Sequence, residues 1–133
     1  MAVWKIDSVH DRPQVTLRDW AAFEVPLNGA SEPWTRHIAG WSCEDRQGQV
    51  CSAVERFDPL MCLCVTQSGR VYQLLGRPGL GSDAEYVWNR WKGIWGITEQ
   101  RNVTQAVFDA IQAAQSALGT RSAGTAHPTK DKK

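Results

Sequence analysis

Two runs of alternating side chains, residues 61–67 and 70–75, meet at Ser68-Gly69, and no other feature constrains this chain as tightly. Alternation sends successive side chains to opposite faces, which suits a half-buried strand and not a helix. Ser-Gly between such runs reads as a two-residue hairpin turn, since glycine takes positive φ without steric cost. Pairing across that turn sets Val65 against Tyr72 and Leu63 against Leu74 on the face assigned to the core. Cys64 then faces Gln73, and Thr66 faces Val71, on the other side.

The preceding residues read the same way. Residues 3–9 alternate Trp4 and Ile6 with Lys5 and Asp7, a short first strand ended by Asp11-Arg12-Pro13. Residues 17–27 place Leu17, Ala21, Phe23, Val25 and Leu27 at odd positions, and Asp19-Trp20 interrupts the pattern, which means either a β-bulge there or a strand that begins only after it. Residues 35–43 and 49–57 form a hairpin around Asp45-Arg46-Gln47-Gly48, with Gly48 in the turn. A three-residue loop at 46–48 sets Cys43 opposite Cys51 and Trp41 opposite Ala53; a two-residue loop removes the cysteine pairing.

Helical spacing begins only after the loop at residues 76–81. Ser82 with Glu85 is a capping-box signature, and Ala84, Val87, Trp88, Trp91 and Trp95 make one apolar stripe that Gly93 and Gly96 limit. A second helix starts near Asn102 or Thr104 and carries Val107, Phe108, Ile111, Ala114 and Leu118 on one face, stopping at Gly119. Strands first and helices afterwards predict an α+β fold: an antiparallel sheet of about five strands, built from hairpins and packed against two C-terminal helices. Residues 1–119 form the one domain, and 120–133 a disordered basic tail.

At 133 residues, 42% hydrophobic and 22% charged, the chain can bury a core without disulfides or metals. No apolar run approaches the roughly 20 residues of a spanning helix, and the first residues lack a secretory pattern, so a cytoplasmic protein without a membrane partner is expected. The thiols of Cys43, Cys51, Cys62 and Cys64 then stay reduced and serve as small apolar groups. The net charge of +1 conceals +3 on residues 121–133 and −2 on the rest. A body without basic excess argues against sequence-independent nucleic-acid binding.

Candidate chemistry is sparse. Cys62 and Cys64 on one strand point to one face, and Cys43 and Cys51 have no near partner, so the spacing is not that of a zinc knuckle. Nothing places His10 or His37 beside a chosen thiol, and no catalytic residue, metal site or cofactor motif is read. The glycine-rich loop before the first helix lacks the Gly-Lys-Ser/Thr ending of a phosphate loop, but leaves Arg77 as an anion contact. Seven tryptophans are the unusual number. Trp88 and Trp91 belong to the buried stripe, with Arg90 and Lys92 interleaved; Trp34, after Pro33, and Trp95, before Gly96, are better placed as exposed binding aromatics.

The stretch Ser68-Gly69-Arg70-Val71-Tyr72, then Gly79, then Asp83-Ala84-Glu85-Tyr86-Val87-Trp88 and Trp91, resembles small uncharacterised proteins of bacterial plasmids and integrative conjugative elements. The resemblance spans residues 35–91 and implies a bacterial, accessory, cytosolic setting, with no functional residue to transfer. From the residues themselves the expectation is a non-enzymatic interaction module. Its partner is a protein, with nucleic acid as the second choice, bound through Trp34, Trp95, Arg77 and Arg90. The alternative is a small enzyme or ligand-binding protein with a pocket between sheet and helices, using His37 and a cysteine or Asp58. The partner's identity and the oligomeric state are not legible.

Overall fold

The computed structural model describes residues 8–126. Strands β1 (Gln14–Val25), β2 (Thr35–Ser42), β3 (Gln47–Val50), β4 (Val54–Asp58), β5 (Leu63–Thr66) and β6 (Val71–Leu74) precede helix α1 (Ser82–Trp95). The two-residue strand β7 (Arg101–Asn102) and helix α2 (Thr104–Ala126) follow. The class is α+β as expected, but the strand count and the purely antiparallel pairing are not. All seven strands share one sheet in the order β3-β2-β1-β6-β5-β4, with β7 beside β1.

The closing pair, β1 with β6, is parallel, with Val15 opposite Tyr72 and Leu17 opposite Leu74. The reason is a parity of legs. β3 and β4 are one run, the expected strand at residues 49–57, bent at residues 51–53 so that its first half pairs with β2 and its second with β5. A meander of five legs returns its last leg in the direction of its first. Of the expected first strand, residues 3–7 lie outside the described residues, and Ser8 begins a turn whose carbonyl accepts from the N–H of Arg12 (2.8 Å).

Asp19, at φ 49°, is the bulge that the broken alternation suggests. The register against β2 shifts between Arg18 and Ala21, so β1 inverts its faces there. Val15 and Leu17 therefore share a core with Trp20 and Ala22, whereas Ala21, Phe23 and Val25 face the other way. The expected single face from Leu17 to Val25 is thereby corrected. Gly40 lies across from the bulge, where an added Cβ would come within 3.1 Å of the Arg18 carbonyl oxygen.

One strand thus serves two cores, and the helices lie on opposite faces of the sheet. Helix α1 packs Val87 and Trp88 on Ala21, Phe23, Val25, Ala39 and Val50. Helix α2 sets Val107 and Ile111 on the other face with Trp20, Ile38, Cys64 and Tyr72. Its start is fastened to β1 by Thr104, whose hydroxyl accepts from the Ala22 N–H (2.9 Å) and donates to the Ala22 carbonyl (3.3 Å). Bonds of this kind contribute about 1 kcal/mol each.

Both expected hairpin registers change. The Thr66 N–H donates to the Arg70 carbonyl, so three residues, 67–69, form the loop inside that pair, with Gly69 at φ 92°, and Cys64 pairs with Tyr72 and Leu63 with Gln73. That one-residue slip turns β5 over against β6: Tyr72 and Leu74 are buried as expected, but with Cys64 and Thr66, while Leu63 and Val65 are half-buried. In the β2–β3 turn, Arg46 takes the positive φ (56°) that was expected of Gly48, and Ser42 pairs with Gln47. Cys43 is consequently exposed, and Cys51 lies beside Ile38. Gly48 is required for another reason: an added Cβ would sit 2.5 Å from the Asp83 carbonyl oxygen, so glycine lets α1 approach β3.

The expected Ser82 cap is also displaced. Gly81 occupies the N-cap of α1 without a side-chain bond, and Gly96, at φ 69°, closes the C-terminus. Helix α2 continues through the expected stop at Gly119 to Ala126. The remaining tail, residues 127–133, lies outside the described residues.

Candidate binding site

Where the bent run leaves β2, the sheet parts. Between the start of β2 and the start of β4 lies a cleft of about 420 Å³, walled by Leu27, Pro33, Trp34, Ala53 and Val54, with Thr35, Arg36, Glu55 and Gln67 at its polar rim. Trp34 is half-buried, and the Arg101 guanidinium lies 4.1 Å from its ring centroid. Glu24 binds that guanidinium at 3.4 Å and Arg36 at 3.0 Å. Partly exposed pairs of this sort contribute at most about 1 kcal/mol each, so their effect is to hold the indole and not to stabilise the fold.

Trp95 ends a train of rings on the opposite side of β2. Phe23 stacks on Trp88 at 4.5 Å and Trp88 on Trp91 at 5.2 Å, both at 12° between planes, and Trp95 follows at 6.3 Å from Trp91. The Trp88 ring N–H donates to the Gln100 side-chain oxygen (3.0 Å), which Lys92 also binds (2.7 Å). Trp95 is 59% exposed, beside Ile94 at 61%. Trp91 also contacts His37 at 4.6 Å, and the Nε2 of His37 lies 2.7 Å from the hydroxyl of Thr35, a cleft residue. Trp34 and Trp95 therefore flank the same end of β2.

The two arginines singled out from sequence are elsewhere. Arg77 lies over the Phe108 ring at 5.2 Å, on the α2 side of the sheet. Arg90 is half-buried on α1, and its Nε is buried without a hydrogen-bond partner among the described residues. Neither belongs to the cleft. Two smaller hollows, of about 240 and 290 Å³, share Trp41 and Asp83 beside the first turn of α1. They collect Arg18 and Arg46 together with Asp19, so neither sign of charge dominates.

No protein-family model, curated protein or solved structure matches the chain. Its chemistry is therefore read from its own groups. Burial pushes the Cys51 and Cys64 thiols up to about 12, and raises that of Cys62, with the Asp58 carboxylate adding to the effect. Thiols in that condition stay protonated near neutral pH and are poor nucleophiles. His37 is held below its ordinary value by burial, against the opposing hydrogen bond to the Cys51 carbonyl. With Nδ1 2.9 Å from that carbonyl, the Nδ1–H form donates there and Nε2 accepts from Thr35. The Cys51 thiol instead accepts from the Ile38 N–H (3.1 Å). The imidazole thus bonds no thiol, and among the described residues no three His, Cys, Asp or Glu converge to hold a metal ion. Nor is any helix among them long and apolar enough to cross a membrane.

Sequence reasoning singled out Trp34, expected exposed but half-buried in the cleft wall, and Trp95, exposed as expected but outside the cleft lining; it did not foresee the cleft. The cleft comes from the bend at residues 51–53, and Cys-Ser-Ala carries no turn signal there.

Proposed function

We propose that this chain is a non-enzymatic interaction module that binds a protein partner at the Trp34 end of its sheet. The observation that carries this reading is the Trp34 cleft, a hollow of mixed polar and apolar lining that includes Arg36 and Glu55, in contact through Thr35 and His37 with the ring train that ends at exposed Trp95. Such a combination of an anchored aromatic, a second exposed one and arginine at the rim is the composition of binding hot spots. The raised pKa values of Cys51, Cys62 and Cys64, and the bonding of the His37 ring to a carbonyl and a hydroxyl in place of a thiol, favour this reading over an enzyme that uses His37 with one of those cysteines. A cytoplasmic role on a bacterial mobile element is the setting proposed with it.

The test is affinity capture from a native lysate, with and without nuclease, using the wild-type chain, Trp34→Ala and Trp95→Ala. Bound protein should fall at least several-fold for either variant while the far-ultraviolet spectrum and melting midpoint are retained. Unchanged capture by both folded variants, or capture that disappears with nuclease treatment, would reject the reading.

A further inference from the structure

The last strand in the sheet order, β4, has one ladder partner, β5. The Thr66 N–H donates to the Arg70 carbonyl and the Leu74 N–H to the Cys62 carbonyl, so Cys62, Cys64 and Thr66 turn their main chains toward β6. Leu63 and Val65 then turn theirs toward β4, where they oppose Asp58 and Arg56. By the same alternation, Phe57 directs its N–H and C=O to the open side. Among the described residues no strand pairs with that edge, and β2 only approaches its beginning, at the cleft. Arg56 and Asp58 are exposed and lie on the face opposite to half-buried Phe57.

We infer that the occupant of this end of the sheet is a second copy of the chain, joined by antiparallel pairing of β4 with β4 about a twofold axis at Phe57. The inference rests on reading this end as a protein interface, and it names the partner. The register follows from main-chain direction and charge. With Phe57 bonded to Phe57 of the partner subunit, Arg56 opposes Asp58 of the partner subunit, and Asp58 opposes Arg56 of the partner subunit. These are non-hydrogen-bonded positions, where facing side chains are nearest, so the interface gains two opposite-charge pairs by symmetry.

Neighbouring registers fail. An axis at Arg56 sets two guanidiniums face to face, an axis at Glu55 sets two carboxylates together, and an axis between residues sets outward main chains against inward ones. Leu60 and Met61, 36% and 56% exposed, follow directly after the pairing edge. Antiparallel pairing carries Leu60 and Met61 of the partner subunit toward Val54 and the mouth of the Trp34 cleft.

Sedimentation of the full chain over a wide concentration range tests this. The weight-average mass should rise from 14.8 kDa toward twice that value. Arg56→Asp should remain monomeric, because its new carboxylate faces Asp58. Asp58→Arg should also remain monomeric, and mixing the two variants should restore the dimer, since opposite charges face again in the mixed pair. Asp58 also accepts from the N–H groups of Leu60 and Met61, so Asp58→Asn, which keeps that acceptor, is the variant that protects the fold. It should weaken association several-fold.

A wild-type chain that stays monomeric up to millimolar protein, or a dimer indifferent to Arg56→Asp, overturns the inference. If the wild type is monomeric while Trp34→Ala still abolishes capture, only the self-pairing is lost. If capture is also unchanged, the interaction reading falls with it.

Discussion

His37 shows how one side chain records its surroundings. It is 1% exposed, lies against Trp91 and is bonded at both ring nitrogens, and burial, the largest influence, lowers its pKa. A folded-state value below 6.5 means that the unfolded chain binds the proton more readily. Its contribution is therefore complete above about 6.5 and is lost as pH falls toward the folded value. Glu44 acts with the same sign lower down. Burial raises its pKa, but the Thr16 N–H and hydroxyl, both at 2.7 Å, outweigh that and hold it below 4.5. The urea midpoint should thus be lower at about pH 5 than at neutrality, and His37→Gln should flatten the difference. An equal midpoint at both pH values would contradict the assignment. From sequence alone His37 is a histidine on a strand, because the ring that covers it comes from a helix more than fifty positions later.

Elements were legible where period and punctuation agreed, and misplaced where a loop gained one residue. The strands β2, β5 and β6 and both helices follow from alternation and helical spacing, and Asp19 announced its bulge by interrupting the pattern. What the spacing could not fix was the Ser68-Gly69 loop length. Two-residue and three-residue turns both accept that dipeptide, and the difference turns β5 over while Tyr72 and Leu74 keep the expected core face. Helix α1 offers a test at this scale. Its N-cap, Gly81, has extended dihedrals (φ −62°, ψ 164°), and an added Cβ would meet only Asp19, at 3.8 Å. Serine fits that conformation and can accept from the first-turn N–H groups, while also restricting the unfolded chain. Gly81→Ser should therefore stabilise the protein by about 0.5–1 kcal/mol in denaturant titration. Destabilisation would show that the first turn has no room for a hydroxyl.

On the scale of the molecule, α+β class and a mainly antiparallel sheet could be read in advance, but closure could not. Closure depends on Val15 and Leu17 meeting Tyr72 and Leu74, and no local pattern connects residues so distant in sequence. The Trp34 cleft was hidden for the same reason, since Leu27, Trp34, Val54 and Gln67 come from four different segments. Helix α2 presents the opposite case, an element longer than its packing requires. Val107, Phe108 and Ile111 anchor it to the core it shares with Trp20 and Tyr72, whereas Leu118 is 42% exposed. Ending the chain after Leu118 should leave the thermal midpoint and the denaturant midpoint unchanged. A cooperative loss of stability in the shortened chain would mean that the later turns support the core after all.

The parallel seam between β1 and β6 also sets an order of events during synthesis. Once β2 has left the ribosome it can fold back on β1, and β3 on β2, but the flank of β1 that will receive β6 stays bare until most of the strands have emerged. For that interval the nascent chain displays unpaired amides on its longest strand, so slow translation of this segment prolongs the stage most open to misassembly and to chaperone capture.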